Sequence, residues 1–193
     1  KVFYDYKKEG IWQLGEEAAA AANGQEPGDI KVQDVDGNGV ITTDDRIIYS
    51  QRPDVTFGFN NTFNYKGFDL SVFLYARLGQ WIAYDYNTTY RINALENGGN
   101  VDYWTPENPT NAFPRPNKSK SYTQVTYYST LKYEDGSFFK IRDITLGYTF
   151  KPELLKHLNL SRLRVYATAK NFFTFSKIDN YDPEQGGSIS FPM

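Results

Sequence analysis

At 193 residues the chain has room for one domain with a core of its own, or it is a piece of something larger. Zero cysteines exclude disulfides, thiolate catalysis and thiolate metal sites, and a single histidine, His157, argues against histidine-rich metal sites and Ser-His-Asp chemistry. A net charge of -2 gives no electrostatic hold on nucleic acid or an anionic membrane. No stretch approaches 18 apolar residues, which excludes a membrane-spanning helix but not a membrane β-barrel, and 16 Tyr and 14 Phe point toward β-structure. Beginning at Lys1 without a signal-like segment, the sequence reads as a mature or internal fragment.

In chain order, Lys1 to Gln13 reads as a short strand. Glu16 to Ala22, rich in alanine, is a helix of two turns at most, stopped by Asn23-Gly24. Asp29 to Gln33 is extended. From Asp54 to Lys66 the period becomes 2, with Val55, Phe57, Phe59, Phe63 and Tyr65 on one face. After a turn at Lys66-Gly67, Phe68, Leu70, Val72, Leu74, Ala76 and Leu78 form one apolar face, so the two runs read as a hairpin of long strands. Residues 79–135 hold four of the nine prolines without a sustained period and read as a surface or functional excursion. Alternation returns in Gly136 to Phe150, then in Leu163 to Phe173, with Lys151 to Asn159 a polar connection. The tail from Ser176 is loop-like.

Such strands fit two architectures. One is a soluble sandwich in which one face of each strand packs inward. The other is a membrane barrel, whose tilted strands need about 9–11 residues to cross a bilayer. Short connections alternate with a very long one, and aromatics crowd the strand ends, as in outer-membrane barrels.

Asp34 to Asp45 (DVDGNGVITTDD) fits the twelve-residue EF-hand loop. Asp34, Asp36 and Asn38 supply oxygens at positions 1, 3 and 5, and Gly39 stands where the loop must turn sharply. Val40 offers its carbonyl, Thr42 its hydroxyl directly or through water, and Asp45 replaces the usual bidentate Glu. The expected ion is Ca²⁺ in a structural role, with an Asp/Asn/Gly-rich turn free of metal as the alternative. No amphipathic helix precedes the loop, so it is not half of a paired sensor.

Glu134, Asp135 and Asp143 have no catalytic spacing and read as solvated carboxylates; catalysis is not expected. His157 lies in a polar turn. Arg142, Arg162, Arg164 and Lys170 form a basic series that either lines an aqueous interior or pairs with acidic neighbours. Trp81, Tyr84, Tyr86, Tyr90, Tyr103 and Trp104 either stack on substrate sugar rings or pack the excursion on itself.

The string resembles the C-terminal part of SusC/RagA-type TonB-dependent outer-membrane transporters, a Bacteroidetes-type family. The resemblance is carried by GDIK (Gly28 to Lys31) leading into DVDGNGVITTDDR, by Arg52 to Arg77, by YWTPENPTNAFPR (Tyr103 to Arg115), by DGSFFKIRDITLGYTF (Asp135 to Phe150) and by Leu163 to Glu184. It implies an all-β antiparallel transmembrane barrel of roughly 22 strands with an internal plug and long extracellular loops, of which this chain is the C-terminal part. It implies import of oligosaccharides or peptides through the outer membrane of a Gram-negative bacterium. TonB supplies the energy through a part of the protein outside this chain, and a SusD-like surface lipoprotein is the partner. On that template the Lys66-Gly67 and Lys151 to Asn159 turns are periplasmic, whereas residues 34–45 and 79–135 are extracellular. About five strands cannot close such a barrel, so the chain is expected to be a fragment of a larger transporter. The competing reading is a soluble, calcium-stabilised β-module that binds glycan or protein.

Overall fold

In a computed structural model the described residues are 2–84, 101–117, 119, 124–178 and 182–185. They form two compact units, one drawn from residues 2–51 and 81–134, the other from 52–80 and 135–184.

The first unit is a set of short pieces. Where one strand is expected at the N-terminus there are two, β1 (Val2–Tyr6) and β2 (Lys8–Ile11), because they pair with different partners. β1 runs antiparallel to β4 (Arg46–Ser50), which the sequence pattern does not reveal, and β2 to β3 (Ile30–Val32). Between them α1 (Glu17–Ala22) forms from five consecutive alanines, the best helix formers, and buries Ala20. The Glu16 carboxylate accepts from the Gln13 amide and from Lys31 Nζ, both at 2.9 Å, which fastens the helix entry to β3.

The stretch 79–135, read from sequence as a surface or functional excursion, carries regular structure among its described residues. It contributes β7 (Trp81–Ala83), a helical turn at Tyr128–Lys132 and β8 (Tyr133–Asp135). Its Trp104, Tyr128 and Leu131 join Ile11, Ile30 and Val32 in the hydrophobic core of this unit. Tyr49 of β4 stacks on Tyr133 with ring centroids 4.2 Å apart and meets the Trp81 ring edge-on at 4.9 Å. The pattern of 79–135 has no period because its buried residues are drawn one at a time into a core built by other segments.

The second unit is a single antiparallel sheet of four long strands, β5 (Val55–Tyr65), β6 (Phe68–Leu78), β9 (Phe138–Thr149) and β10 (Arg164–Ser176), in the order β10-β9-β6-β5. The predicted hairpin is present, in register from Tyr65 opposite Phe68 to Val55 opposite Leu78. A bulge falls at Arg142 on β9 and at Asn171-Phe172 on β10. The connection at Lys151 to Asn159 is more than polar: it folds as a helical turn, α2 (Pro152–Leu155), whose Leu155 is buried. Its His157 falls in the following turn, Lys156–Leu158. Among the described residues no further strand pairs with β5 or β10, and the sheet does not close into a barrel. No described helix is long and apolar enough to cross a membrane, which says nothing about strands.

Candidate functional site

Residues 34–45 form a loop folded around its own carboxylates. One carboxylate oxygen from each of Asp34, Asp36 and Asp45 lies within 4.8 Å of the others. Asp34 accepts from the Gly37 and Gly39 amides, each at 2.7 Å, and Gly39 takes φ +82°, a value that side-chain-bearing residues rarely adopt. Asp36 accepts from the Asn38 amide at 3.0 Å, and Asn38 Oδ1 from the Val40 amide at 2.8 Å. Asp45 has no exposed surface. Its Oδ2 accepts from the Thr42 amide at 2.7 Å and its Oδ1 from Val35 at 2.7 Å, while Thr42 Oγ1 accepts from the Asp44 amide. These bonds, that from Thr42 foremost, hold the Asp45 carboxyl below its ordinary value of 3.8.

Asp45 thus caps the helical turn Thr43–Asp45 in a reciprocal capping box, a geometry that suits the short side chain at this position. The donor set fits a hard cation in its chemistry: one oxygen from each of three carboxylates converges on one place. Asp34, Asp36, Asn38, Val40, Thr42 and Asp45 are the residues that would hold it. Without a cation, three negative charges crowd within a few ångströms.

The aromatic candidates separate into two groups. Trp104 is 5% exposed, and its indole N–H donates to Gln13 Oε1 at 2.8 Å. Tyr84 is also buried, and Trp81 packs against Tyr49. These three pack the fold rather than present a free ring face. Tyr103 is 43% exposed, held outward by a knot in which Asp102 accepts from Asn108 Nδ2 and from the Thr110 hydroxyl. Those bonds keep the Asp102 carboxyl below its ordinary value. Tyr86 and Tyr90 lie outside the described residues.

Sequence reasoning missed a polar cavity of about 300 Å³ in the first unit, lined by Lys8, Glu9, Asn111, Thr130, Tyr133 and Glu134. Lys8 Nζ donates to the Ala112 carbonyl, and burial pushes its pKa below 10.5 against the opposing pull of Glu134. Its residues are separated by up to 126 positions, so no local signal marks it.

The four-stranded sheet has two unlike faces. Cross-strand partners share a face, so the register alone assigns each residue. One face carries Leu70, Val72 and Leu74 of β6 beside Ile141, Ile144 and Leu146 of β9 and Ala167 and Ala169 of β10. At one end of this aliphatic band stand Phe63, Tyr65, Phe68 and Tyr148, and at the other Phe57, Phe139, Phe173 and Phe175. The face is uncovered among the described residues: Phe63 is 59%, Leu146 51% and Val165 57% exposed.

The opposite face carries Thr56, Asn60 and Thr62, Asp69 and Ser71, Thr145 and Thr168, with the Thr145 and Thr168 hydroxyls 2.9 Å apart. Of the basic series, Arg164 pairs with Asp69 and Arg142 with Glu184, so both take acidic neighbours. Asp135 is ion-paired with Lys177 at 3.0 Å.

No protein-family profile matches the chain. Among curated proteins, TonB-dependent receptor P3 of Formosa agariphila is 33% identical over 193 residues, covering 94% of this chain and 18% of the receptor. TonB-dependent receptor SusC of Bacteroides thetaiotaomicron is 32% identical over 162 residues, covering 81% of this chain and 15% of that protein. A solved structure of the RagAB peptide transporter superposes over 97% of this chain and 20% of that one, with a TM-score of 0.66 and 23% identity. The chain therefore spans less than a fifth of the length of these curated relatives. Over nearly its whole length, in sequence and in fold, it matches a segment of the SusC/RagA-type TonB-dependent receptors.

Proposed function

We propose that the chain forms a sector of the barrel wall of a TonB-dependent transporter in the outer membrane of a Gram-negative bacterium. The whole transporter takes up an oligosaccharide or a peptide and works with a SusD-like surface lipoprotein and with TonB. The observation that carries this reading is the uncovered sheet face, an aliphatic band bordered by aromatics at both ends. Outer-membrane barrels present such a band, about 25 Å tall, to lipid. Eleven-residue strands such as β5 and β6 reach about 36 Å, or about 26 Å when tilted by 45°. A soluble sandwich would cover this face with a second sheet. The similarity to TonB-dependent receptors and to the RagAB peptide transporter supports the same reading, and the latter supports the peptide arm.

The test is the native protein extracted from outer membranes and run on an SDS gel, boiled and unboiled. A band far above 22.2 kDa that shifts on boiling is expected. A soluble species of 22.2 kDa with no shift would overturn the reading.

Within that frame, residues 34–45 and the described residues of 79–135 face the outside, and Tyr103 offers a ring to substrate. The Asp34 to Asp45 loop holds Ca²⁺, which neutralises its carboxylates and fixes the loop. Support comes from the convergence of Asp34, Asp36 and Asp45 and from the EF-hand spacing. Calorimetry on the whole protein should lose one calcium-binding event on Asp34→Ala with Asp36→Ala; unchanged binding would refute the assignment.

A further inference from the structure

Lys140 on β9 stands on the polar face of the sheet, yet its side chain is 1% exposed. Its ammonium donates to both Asp182 carboxylate oxygens, at 2.7 and 3.0 Å, and to Glu184 Oε2 at 3.0 Å. Arg142, two residues on, lies 3.2 Å from the other Glu184 oxygen. Pro183, between the two carboxylates, has essentially no exposed surface. Gln80 Nε2, itself buried, donates to the Gly136 carbonyl at 2.7 Å and to Pro183 O at 3.5 Å. Three consecutive residues are thus held by Lys140 and Arg142 of β9 and by Gln80 between β6 and β7, all remote in the chain. If the segment left, Lys140 and Arg142 would lose the carboxylates that pair them, so the contacts stand or fall together.

We infer that Lys140 clamps Asp182 to Glu184 onto the polar sheet face, making this segment part of the wall of the passage. The inference rests on the reading that this face lines an aqueous interior. With the segment docked, two carboxylates neutralise Lys140 and Arg142. Released, both cations would face the passing solute, beside Arg77, whose Nε donates to the Tyr75 hydroxyl at 2.8 Å. The clamp therefore sets both the shape and the charge of this part of the wall.

The test uses the whole transporter in outer-membrane vesicles, with any cysteines outside this chain removed and Pro183→Cys as reporter for a membrane-impermeant maleimide. Slow labelling is expected while Lys140 is present, and rapid labelling of the reporter alone would already overturn the inference. Lys140→Met should raise the labelling rate about tenfold or more while the heat-shifted band stays unchanged, and Lys140→Arg should restore protection. Should Lys140→Met fail to fold, Asp182→Asn with Glu184→Gln, leaving Lys140 in place, should give the same rise. Unchanged labelling in a variant that keeps its heat shift sinks the clamp. Absence of a heat shift in the unsubstituted protein would instead sink the barrel reading beneath it.

Discussion

Arg164 reaches over the backbone of Gly147 to Asp69, with Nε 3.0 Å from one carboxylate oxygen and the terminal nitrogen 2.5 Å from the other. The two residues stand on β10 and β6, with β9 between them, so one ion pair spans three strands on the polar face. A Cβ at Gly147 would come within 2.6 Å of both partners. Glycine at that position is what allows the two side chains to meet.

Gly147→Ala is therefore expected to separate the pair and loosen the strand order at this end of the sheet. The consequence is non-additive: in an Asp69→Ala background, which removes both the pair and the crowding carboxylate, the same substitution should change little. A double-mutant cycle on the urea midpoint of the whole protein in detergent measures it. Additive effects would mean that the pair contributes nothing beyond the glycine.

Val72 sits at the centre of the aliphatic band, opposite Asn61 and Ile144, and Ser71 beside it belongs to the polar face. Val72→Arg should destabilise the barrel by about 2–4 kcal/mol in refolding into lipid vesicles, and Ser71→Arg by far less. Equal costs would mean that the two faces do not meet different solvents.

Trp104 and Tyr103 are neighbours with opposite roles. Trp104→Ala empties a core site packed with Ile11, Ile30, Val32 and Leu131, at about 3–5 kcal/mol. Tyr103→Ala should leave stability nearly unchanged and weaken uptake if its exposed ring contacts substrate. Unfolding midpoints and uptake of labelled oligosaccharide or peptide by cells separate the two effects.

The Asp45 carboxyl is held below its ordinary 3.8 by backbone amides of Thr42, Val35 and Asp36. A depressed carboxyl stabilises the fold above its unfolded value and loses that contribution as pH falls through the lowered one. Amide exchange in residues 34–46, corrected for the intrinsic rate, should stay slow at neutral pH and quicken only below pH 3.8. Asp45→Asn should quicken it at neutral pH, because an amide nitrogen would face a backbone donor.

What the sequence determined by itself was everything with a local period or a local spacing. The Phe68 to Leu78 alternation specified a strand and its apolar face, since side chains on a strand change face at every residue. The spacing of Asp34, Asp36, Asn38 and Gly39 specified a loop that turns its carboxylates onto one point, because all the geometry lies within twelve residues. Tertiary structure decided what depends on partners remote in the chain. Tyr49 and Trp104 are core because separate short pieces converge on them, with nothing nearby to announce it. Lys140 reads as one more polar residue on an alternating strand until Asp182 and Glu184 are brought to it. The uncovered apolar face belongs to the same class: period 2 says that a face is apolar, and only the arrangement of strands says whether another sheet covers it.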